Sequence, residues 1–190
     1  MPKHTLITHF DEAGYRTLYS VLNHDPAERI NHIPYVRVDD KIRRVGDTLP
    51  LHITVSSSTE PLDEIMHRLK GLSFKPFDVY VDGIGLSAAK ENSHFLYFKI
   101  RKSKEMNALL DKIYKRVGNE KYKPGKAKPH ITICISKDPT KVNRIKDRIL
   151  EHHIPFRLRV MSLGLYEIWP GVLKSMYYAD ASRPWFRSIF

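Results

Sequence analysis

A three-residue signature occurs twice in this chain, as His52-Ile53-Thr54 and His130-Ile131-Thr132, each inside an apolar run that favours extended backbone. Side chains alternate between the two faces of a strand, so each His shares a face with its Thr while Ile53 and Ile131 turn to the other. Each copy thus presents an imidazole beside a hydroxyl over an apolar back. With ten His in 190 residues, such a triplet with an apolar centre is expected by chance roughly 0.2 times. It is found twice.

The surroundings recur as well. Gly85 of Ile84-Gly85-Leu86 lies 33 residues after His52, and Gly164 of Leu163-Gly164-Leu165 lies 34 after His130. A spacing kept to within one residue marks both signatures as the same place in a duplicated unit. After the first, Pro61 opens a helix whose Leu62, Ile65, Met66 and Leu69 share a face, and Gly71 ends it. After the second, Asp138 caps a helix that starts at Pro139 and turns Val142, Ile145, Ile149 and Leu150 inward. A strand and a helix precede each signature. Leu6 to Phe10 leads to an Asp11-capped helix with Tyr15, Leu18, Tyr19 and Leu22 on one stripe. Phe95 to Ile100 leads to a Ser103-capped helix bearing Met106, Leu109, Leu110, Ile113, Tyr114 and Val117, stopped by Gly118. Phe77 to Leu86 and Phe156 to Tyr166 read as the strands that carry the repeated glycines, and Met176 to Ala179 as a last strand.

The pattern predicts an α+β fold in one bilobal domain over residues 1–190, with repeats over 4–88 and 94–168 and a C-terminal strand and tail over 174–190. Two pseudo-symmetric lobes are expected, each an antiparallel-rich sheet with helices on its outer face and an active-site cleft between them. The tail residues Trp185, Phe186 and Phe190 are expected to pack back on the body. Residues 25–50 mix Pro, Asp, Arg and Gly without periodicity and read as a long loop, with a short extended piece from Tyr35 to Val38.

Composition narrows the partners. Lys and Arg outnumber Asp and Glu by 32 to 21, a formal net charge of +11, which favours polyanions through long-range attraction and counterion release. A basic surface that serves solubility alone is the plainer reading. With 42% apolar residues the chain can bury a core. No apolar stretch approaches a membrane span, and Met1-Pro2-Lys3-His4 lacks the apolar run of a secretory signal. A cytoplasmic location, no membrane partner and a monomer are therefore expected. The single cysteine, Cys134, excludes an internal disulfide framework and a Cys-rich zinc site.

Histidine, with an ordinary pKa of about 6.5, both takes and gives protons near neutrality. Two of them on opposite sides of a phosphate can divide the work, one removing a proton from the attacking oxygen and the other protonating the leaving oxygen. Threonine hydroxyls can donate to the non-bridging oxygens, where transition-state charge sits. Metal ligation is disfavoured, because each strand supplies one imidazole and no Cys or carboxylate recurs beside it.

In these residues the chain resembles the two-histidine phosphoesterase superfamily, and within it the RNA 2′,3′-cyclic phosphodiesterases once named 2′-5′ RNA ligases. The duplicated apolar His-x-Thr strands, the 78 residues between them, the length and the two-part repeat carry the resemblance, which covers most of the chain. It implies a metal-independent phosphodiesterase without cofactor or ATP. The implied substrates are 2′,3′-cyclic phosphate ends of RNA or related small nucleotides, 2′-5′ linked or cyclic. By match to the family motif, His52 would be the proton donor and His130 the acceptor, with Thr54 and Thr132 holding the phosphate. Many relatives continue the first motif with a leucine and then a phenylalanine, whereas this chain runs Val55-Ser56-Ser57-Ser58. The rival readings are a non-catalytic RNA or nucleotide binding module using the same cleft, and a hydrolase of small signalling nucleotides.

Lys121, Tyr122, Lys123, Lys126 and Lys128 crowd the loop before the second signature, where basic and aromatic side chains can hold phosphates and stack a base. Arg43 and Arg44 stand similarly before the first. Tyr166 and Trp169, just past the second glycine, are further candidates for stacking. Cys134, at i+4 from His130, falls on the catalytic face by strand parity and is expected to be a wall or core residue rather than a nucleophile. The other eight histidines, His152-His153 among them, show no repeat and are expected to be structural.

Overall fold

Asp11, Ser103 and Asp138 each end an extended stretch and start a helix for the same reason. The side chain accepts a hydrogen bond from a first-turn amide that has no partner within the helix: Gly14 for Asp11 at 2.8 Å, Met106 for Ser103 at 3.1 Å, and Thr140 for Asp138 at 2.9 Å. Such caps are worth about 1 kcal/mol each. The computed structural model describes residues 3–22, 36–38, 41–43, 51–88, 93–152, 154–169, 172–180 and 183–188. Its helices are α1 (Glu12–Val21), α2 (Leu62–Leu69), α3 (Lys104–Val117) and α4 (Pro139–Leu150). Its strands are β1 (Lys3–Phe10), β2 (Val36–Val38), β3 (Lys41–Arg43), β4 (Thr54–Ser58), β5 (Phe77–Ala88), β6 (His94–Ile100), β7 (His130–Ser136), β8 (Phe156–Trp169), β9 (Val172–Asp180) and β10 (Arg183–Ser188).

Strands β10-β9-β8-β5-β6-β7 follow one another in a sheet, with β1 beside β8 and β4 beside β1, and every ladder is antiparallel. Ile53 pairs with Ile131, so the chain segments β8-β5-β6-β7-β4-β1 close a circuit through the two signatures. The expected α+β class and antiparallel sheet are present. The pairing departs from one sheet per repeat, however. β5 of the first repeat runs along β6 of the second, and β8 of the second runs along β1 of the first. The two expected repeats thus exchange their last strands, and Phe77–Val81 of β5 pairs with Phe156–Val160 of β8 where the exchange crosses.

α1 packs on β1 and β8, α4 on β6 and β7, and α3 on β4 and α2. Their apolar stripes join the inner face of the strands in one cluster that includes Leu6, Leu18, Ile53, Ile65, Phe98, Leu109, Ile131, Ile145 and Leu163. Ile53 and Ile131 are 1% and 0% exposed, burial that stabilises by about 1.5–3 kcal/mol per side chain. Among the described residues no helix is long and apolar enough to cross a membrane.

Directly after each signature the ladder slips by one residue. Leu6 faces Ser56 and Ile7 faces Thr54, leaving Val55 as the extra residue; Leu96 faces Cys134 and Tyr97 faces Thr132, leaving Ile133. These are two β-bulges at equivalent places, and each re-aims the rest of its strand. Cys134 is turned by its bulge away from the face of His130 and into the apolar core at 3% exposure. Strand parity alone therefore misplaced Cys134, although the expectation of a core residue holds.

The long loop expected over residues 25–50 lies mostly outside the described residues; within it β2 and β3 pair as a short hairpin. The last expected strand extends over β9, and the tail adds β10, a strand with no alternating pattern to announce it. The side chains of Trp185, Phe186 and Phe190 lie outside the described residues.

The repeated glycines make room for rings. A Cβ on Gly85 would sit 2.2 Å from the Tyr97 ring, and one on Gly164 would sit 2.6 Å from both His9 Nε2 and the Tyr166 ring. Gly85→Ala is therefore expected to cost about 1–3 kcal/mol of stability, read as a lower denaturant midpoint at unchanged slope. The cost is expected to shrink in a Tyr97→Ala background. An equal loss with and without the ring would show that the close approach is not what the glycine serves.

Candidate active site

The Ile53–Ile131 pair fixes the geometry of both signatures at once. Across an antiparallel pair the neighbours run in opposite order, so His52 stands opposite Thr132 and Thr54 opposite His130. Because both isoleucines face the core, strand alternation sends all four polar side chains to the other face. The four residues singled out by the repeat are brought together there. Cβ atoms of such cross-strand neighbours lie about 4.5–5.5 Å apart.

Each signature is seated on the strand beside it. Thr8 of β1 receives Ile53: the Thr8 amide donates to the Ile53 carbonyl at 2.9 Å, and the Ile53 amide donates to Thr8 Oγ1 at 3.2 Å. On the other side His130, Ile131 and Thr132 pair with Lys99, Phe98 and Tyr97 of β6.

His130 is held by three contacts. Its Nδ1 lies 2.8 Å from the Lys128 carbonyl, which can only accept, so Nδ1 carries the proton and donates. Nε2 is then the free nitrogen of the neutral ring. Phe95 and Tyr97 meet the imidazole edge to face, with ring centroids 5.3 and 5.4 Å away, and are themselves stacked at 4.9 Å. Burial pushes the His130 pKa below its ordinary value, the Lys128 carbonyl opposes this, and the Lys121 charge lowers it further. At neutral pH this imidazole is an acceptor at Nε2.

His52 is buried, at 8% exposure. Near it, on β1, lies His9, whose Nε2 is 3.0 Å from the Tyr166 hydroxyl. Burial, and then the neighbouring His52, pull the pKa of His9 down to about 4.

A cleft of about 550 Å³ opens along the second signature, lined by Thr54, His130, Phe95, Tyr97 and Tyr122 together with Lys99, Lys102, Lys121, Lys126 and Lys128. No carboxylate belongs to this lining among the described residues. Its field favours anions. Glu120 stands close by, paired with Lys126 at 3.1 Å and hydrogen-bonded by Tyr114.

Of the binding residues expected from the sequence, Tyr122, Lys126 and Lys128 line this cleft and two others do not. Lys123 turns instead to the Tyr114 ring, 5.5 Å from its centroid, and to Glu120 at 3.9 Å. Tyr166 is 1% exposed with its hydroxyl on His9, so it has no surface to offer a base. Arg44 and the side chains of Arg43 and Trp169 lie outside the described residues. Sequence reasoning passed over Phe95, Tyr97, Lys99 and Lys102, and took His9 for a structural histidine. The repeat held the missing signal: sliding β1 onto β6 sets His9 on Lys99, beside the two signature histidines. Among the described residues no three His, Cys, Asp or Glu side chains converge in a group able to hold a metal ion.

Residues 25–168 match the family model of the 2′-5′ RNA ligase superfamily. No match is found among the curated proteins. Several solved structures share the fold over nearly all of both chains, among them these three. One described as a phosphoesterase covers 94% of this chain and 98% of its own, at 12% identity and a TM-score of 0.55. LigT of E. coli, solved with 3′-AMP, covers 94% of each chain at 13% identity and a TM-score of 0.52. Usb1 of Kluyveromyces marxianus, solved with uridine monophosphate, covers 94% of this chain and 97% of its own at 16% identity and a TM-score of 0.51. At such identities the likeness is one of fold, and membership rests on the sequence match: this chain belongs to the 2′-5′ RNA ligase superfamily, a family of two-histidine phosphoesterases.

Proposed function

We propose that the chain is a metal-independent phosphodiesterase that opens 2′,3′-cyclic phosphate ends of RNA or related 2′-5′ linked or cyclic nucleotides. The observation that carries this reading is the Ile53–Ile131 pair, which gathers two imidazoles and two hydroxyls on one face beside a lysine-lined cleft. The nucleotides bound to LigT and Usb1 in their structures support the choice of ligand.

Neutral His130, with its proton fixed on Nδ1, takes a proton at Nε2 from a water molecule as that water attacks phosphorus. The P–O bond to one ribose oxygen breaks while a new P–O bond forms, and protonated His52 gives its proton to the departing oxygen. The ring opens to a phosphate monoester with an adjacent free hydroxyl. The Thr54 and Thr132 hydroxyls donate to the two non-bridging oxygens, where charge concentrates. The division of roles between the histidines follows the family motif. Lys121, Lys126 and Lys128 hold the phosphates of the ligand, and Tyr122 offers a ring for a base.

Purified protein incubated in excess chelator with 2′,3′-cyclic, 3′,5′-cyclic and 2′-5′ linked nucleotides and with end-cyclised RNA is expected to yield monoester products from at least the first or last of these. Binding without turnover across the panel would favour a non-catalytic module, and activity restored only by added zinc or magnesium would favour a metal mechanism. His52→Ala and His130→Ala are each expected to lower turnover by about 10²- to 10⁴-fold with circular dichroism unchanged. Full activity in either would reject the two-proton scheme. The plot of kcat/KM against pH is expected to be bell-shaped. Its acid limb reports deprotonation of His130, whose pKa is lowered, so half-rise is expected below the ordinary histidine value of about 6.5.

A further inference from the structure

The duplication places the same residue types at both catalytic positions, so the signatures alone leave the two imidazoles interchangeable. Their strand neighbours are not the same. In the register of β1 and β4, Ile7 faces Thr54 and the Thr8 amide bonds the Ile53 carbonyl, so His9 is the next neighbour, beside His52. In the register of β6 and β7 the residue facing His130 is Lys99. One signature histidine has a second imidazole at its side, and the other has a lysine as its strand neighbour.

We propose that these neighbours decide which histidine gives the proton and which takes it: Tyr166 keeps His9 uncharged and so leaves His52 the donor, and Lys99 with Lys121 makes His130 the acceptor. The inference rests on the two-histidine reading above and adds the cause of the asymmetry. His9, Tyr166, Lys99 and Lys121 act in it as positioning residues.

On the donor side, two adjacent imidazoles do not both hold a proton at neutral pH, because the second charge is repelled by the first. When the pair holds one proton, the surroundings choose where it sits. The Tyr166 hydroxyl lies 3.0 Å from His9 Nε2 and occupies that nitrogen's lone pair when it donates, which favours the uncharged ring. Gly164 makes this contact possible, since a Cβ there would lie 2.6 Å from His9 Nε2. Burial of His9 works in the same direction. The proton is left to His52, which is the form a general acid needs.

On the acceptor side the Lys128 carbonyl fixes the His130 proton on Nδ1, and a second proton would have to enter at Nε2 against positive neighbours. Lys99 and Lys121 line the cleft that His130 faces. Among the described residues, the titratable groups around the two imidazoles include His9 from β1, Tyr97 and Lys99 from β6, Tyr166 from β8, Lys121 and Lys128 from the loop before β7, and the further cleft residues Lys102, Tyr122 and Lys126.

The test is the proton NMR titration of the histidine rings in the full chain without ligand, with His52 and His130 assigned by single substitution. Two variants probe the two sides. K99Q/K121Q changes exposed lysines and is expected to raise the His130 midpoint by about half a pH unit or more while His52 stays put. Tyr166→Phe keeps the ring that fills the core and removes the hydroxyl. It is expected to raise the His9 midpoint and, through competition for the shared proton, to lower that of His52. His9→Gln removes the competitor and is expected to keep the His52 midpoint at or above its starting value. In an active enzyme the same changes are expected to move the acid limb of kcat/KM up in K99Q/K121Q and the alkaline limb down in Tyr166→Phe. Midpoints of His52 and His130 that stay fixed in all variants, or that move together in the same direction, would overturn the proposal. Because the titrations need no substrate, a chain that proves inactive would sink the phosphodiesterase reading while these midpoints still decide this one.

Discussion

Two buried isoleucines govern the arrangement of everything polar in the site. Ile53 and Ile131 meet across an antiparallel pair with almost no exposure, and the drive to keep them out of water is what holds the two signatures face to face. Neither imidazole needs to attract the other. Their proximity is a by-product of apolar burial on the opposite side of the same strands, so the polar face can be tuned residue by residue without loosening the contact that assembles it.

The devices around that contact come in pairs. A bulge follows each threonine, so each signature strand turns its His and Thr to the face opposite the buried isoleucine and then turns its next small residue, Ser56 or Cys134, toward the core. A glycine on a long strand leaves room for a ring, Tyr97 at Gly85 and His9 with Tyr166 at Gly164. The rings differ between the halves, and so does the environment they create: aromatic walls around His130, an imidazole and a phenol near His52. The frame is alike on the two sides, and the residues that differ within it make them unequal.

Much of this was legible in the residues. Caps at Asp11, Ser103 and Asp138 stood where helices begin, the period-two runs marked strands, and the duplicated His-x-Thr strands led to the family. What escaped was whatever depends on pairing partners, because periodicity says which face a residue takes but not which strand lies beside it. Cys134 was misplaced by a bulge that leaves no mark in the local sequence. Tyr166 looked like a candidate to stack on a base and is buried against His9. Lys123 looked like its lysine neighbours, yet the short helical turn at Glu120–Tyr122 sends it toward Tyr114 instead of the cleft. Phe95, Tyr97 and Lys99 became visible as site residues only when β6 was seen to run beside β7.

The exchange of last strands has a consequence for how such a chain can be divided. A polypeptide cut between the repeats would leave β1 without β8 and β6 without β5, each with an open edge of unpaired amides and carbonyls. Neither piece carries the partner its own edge calls for, while a second copy of the same piece does carry a strand of the right kind. The halves are thus not modules that dock after folding. They are interlocked from the outset, like two hands each closed on the other's wrist, and a solitary repeat would become whole only by clasping its twin.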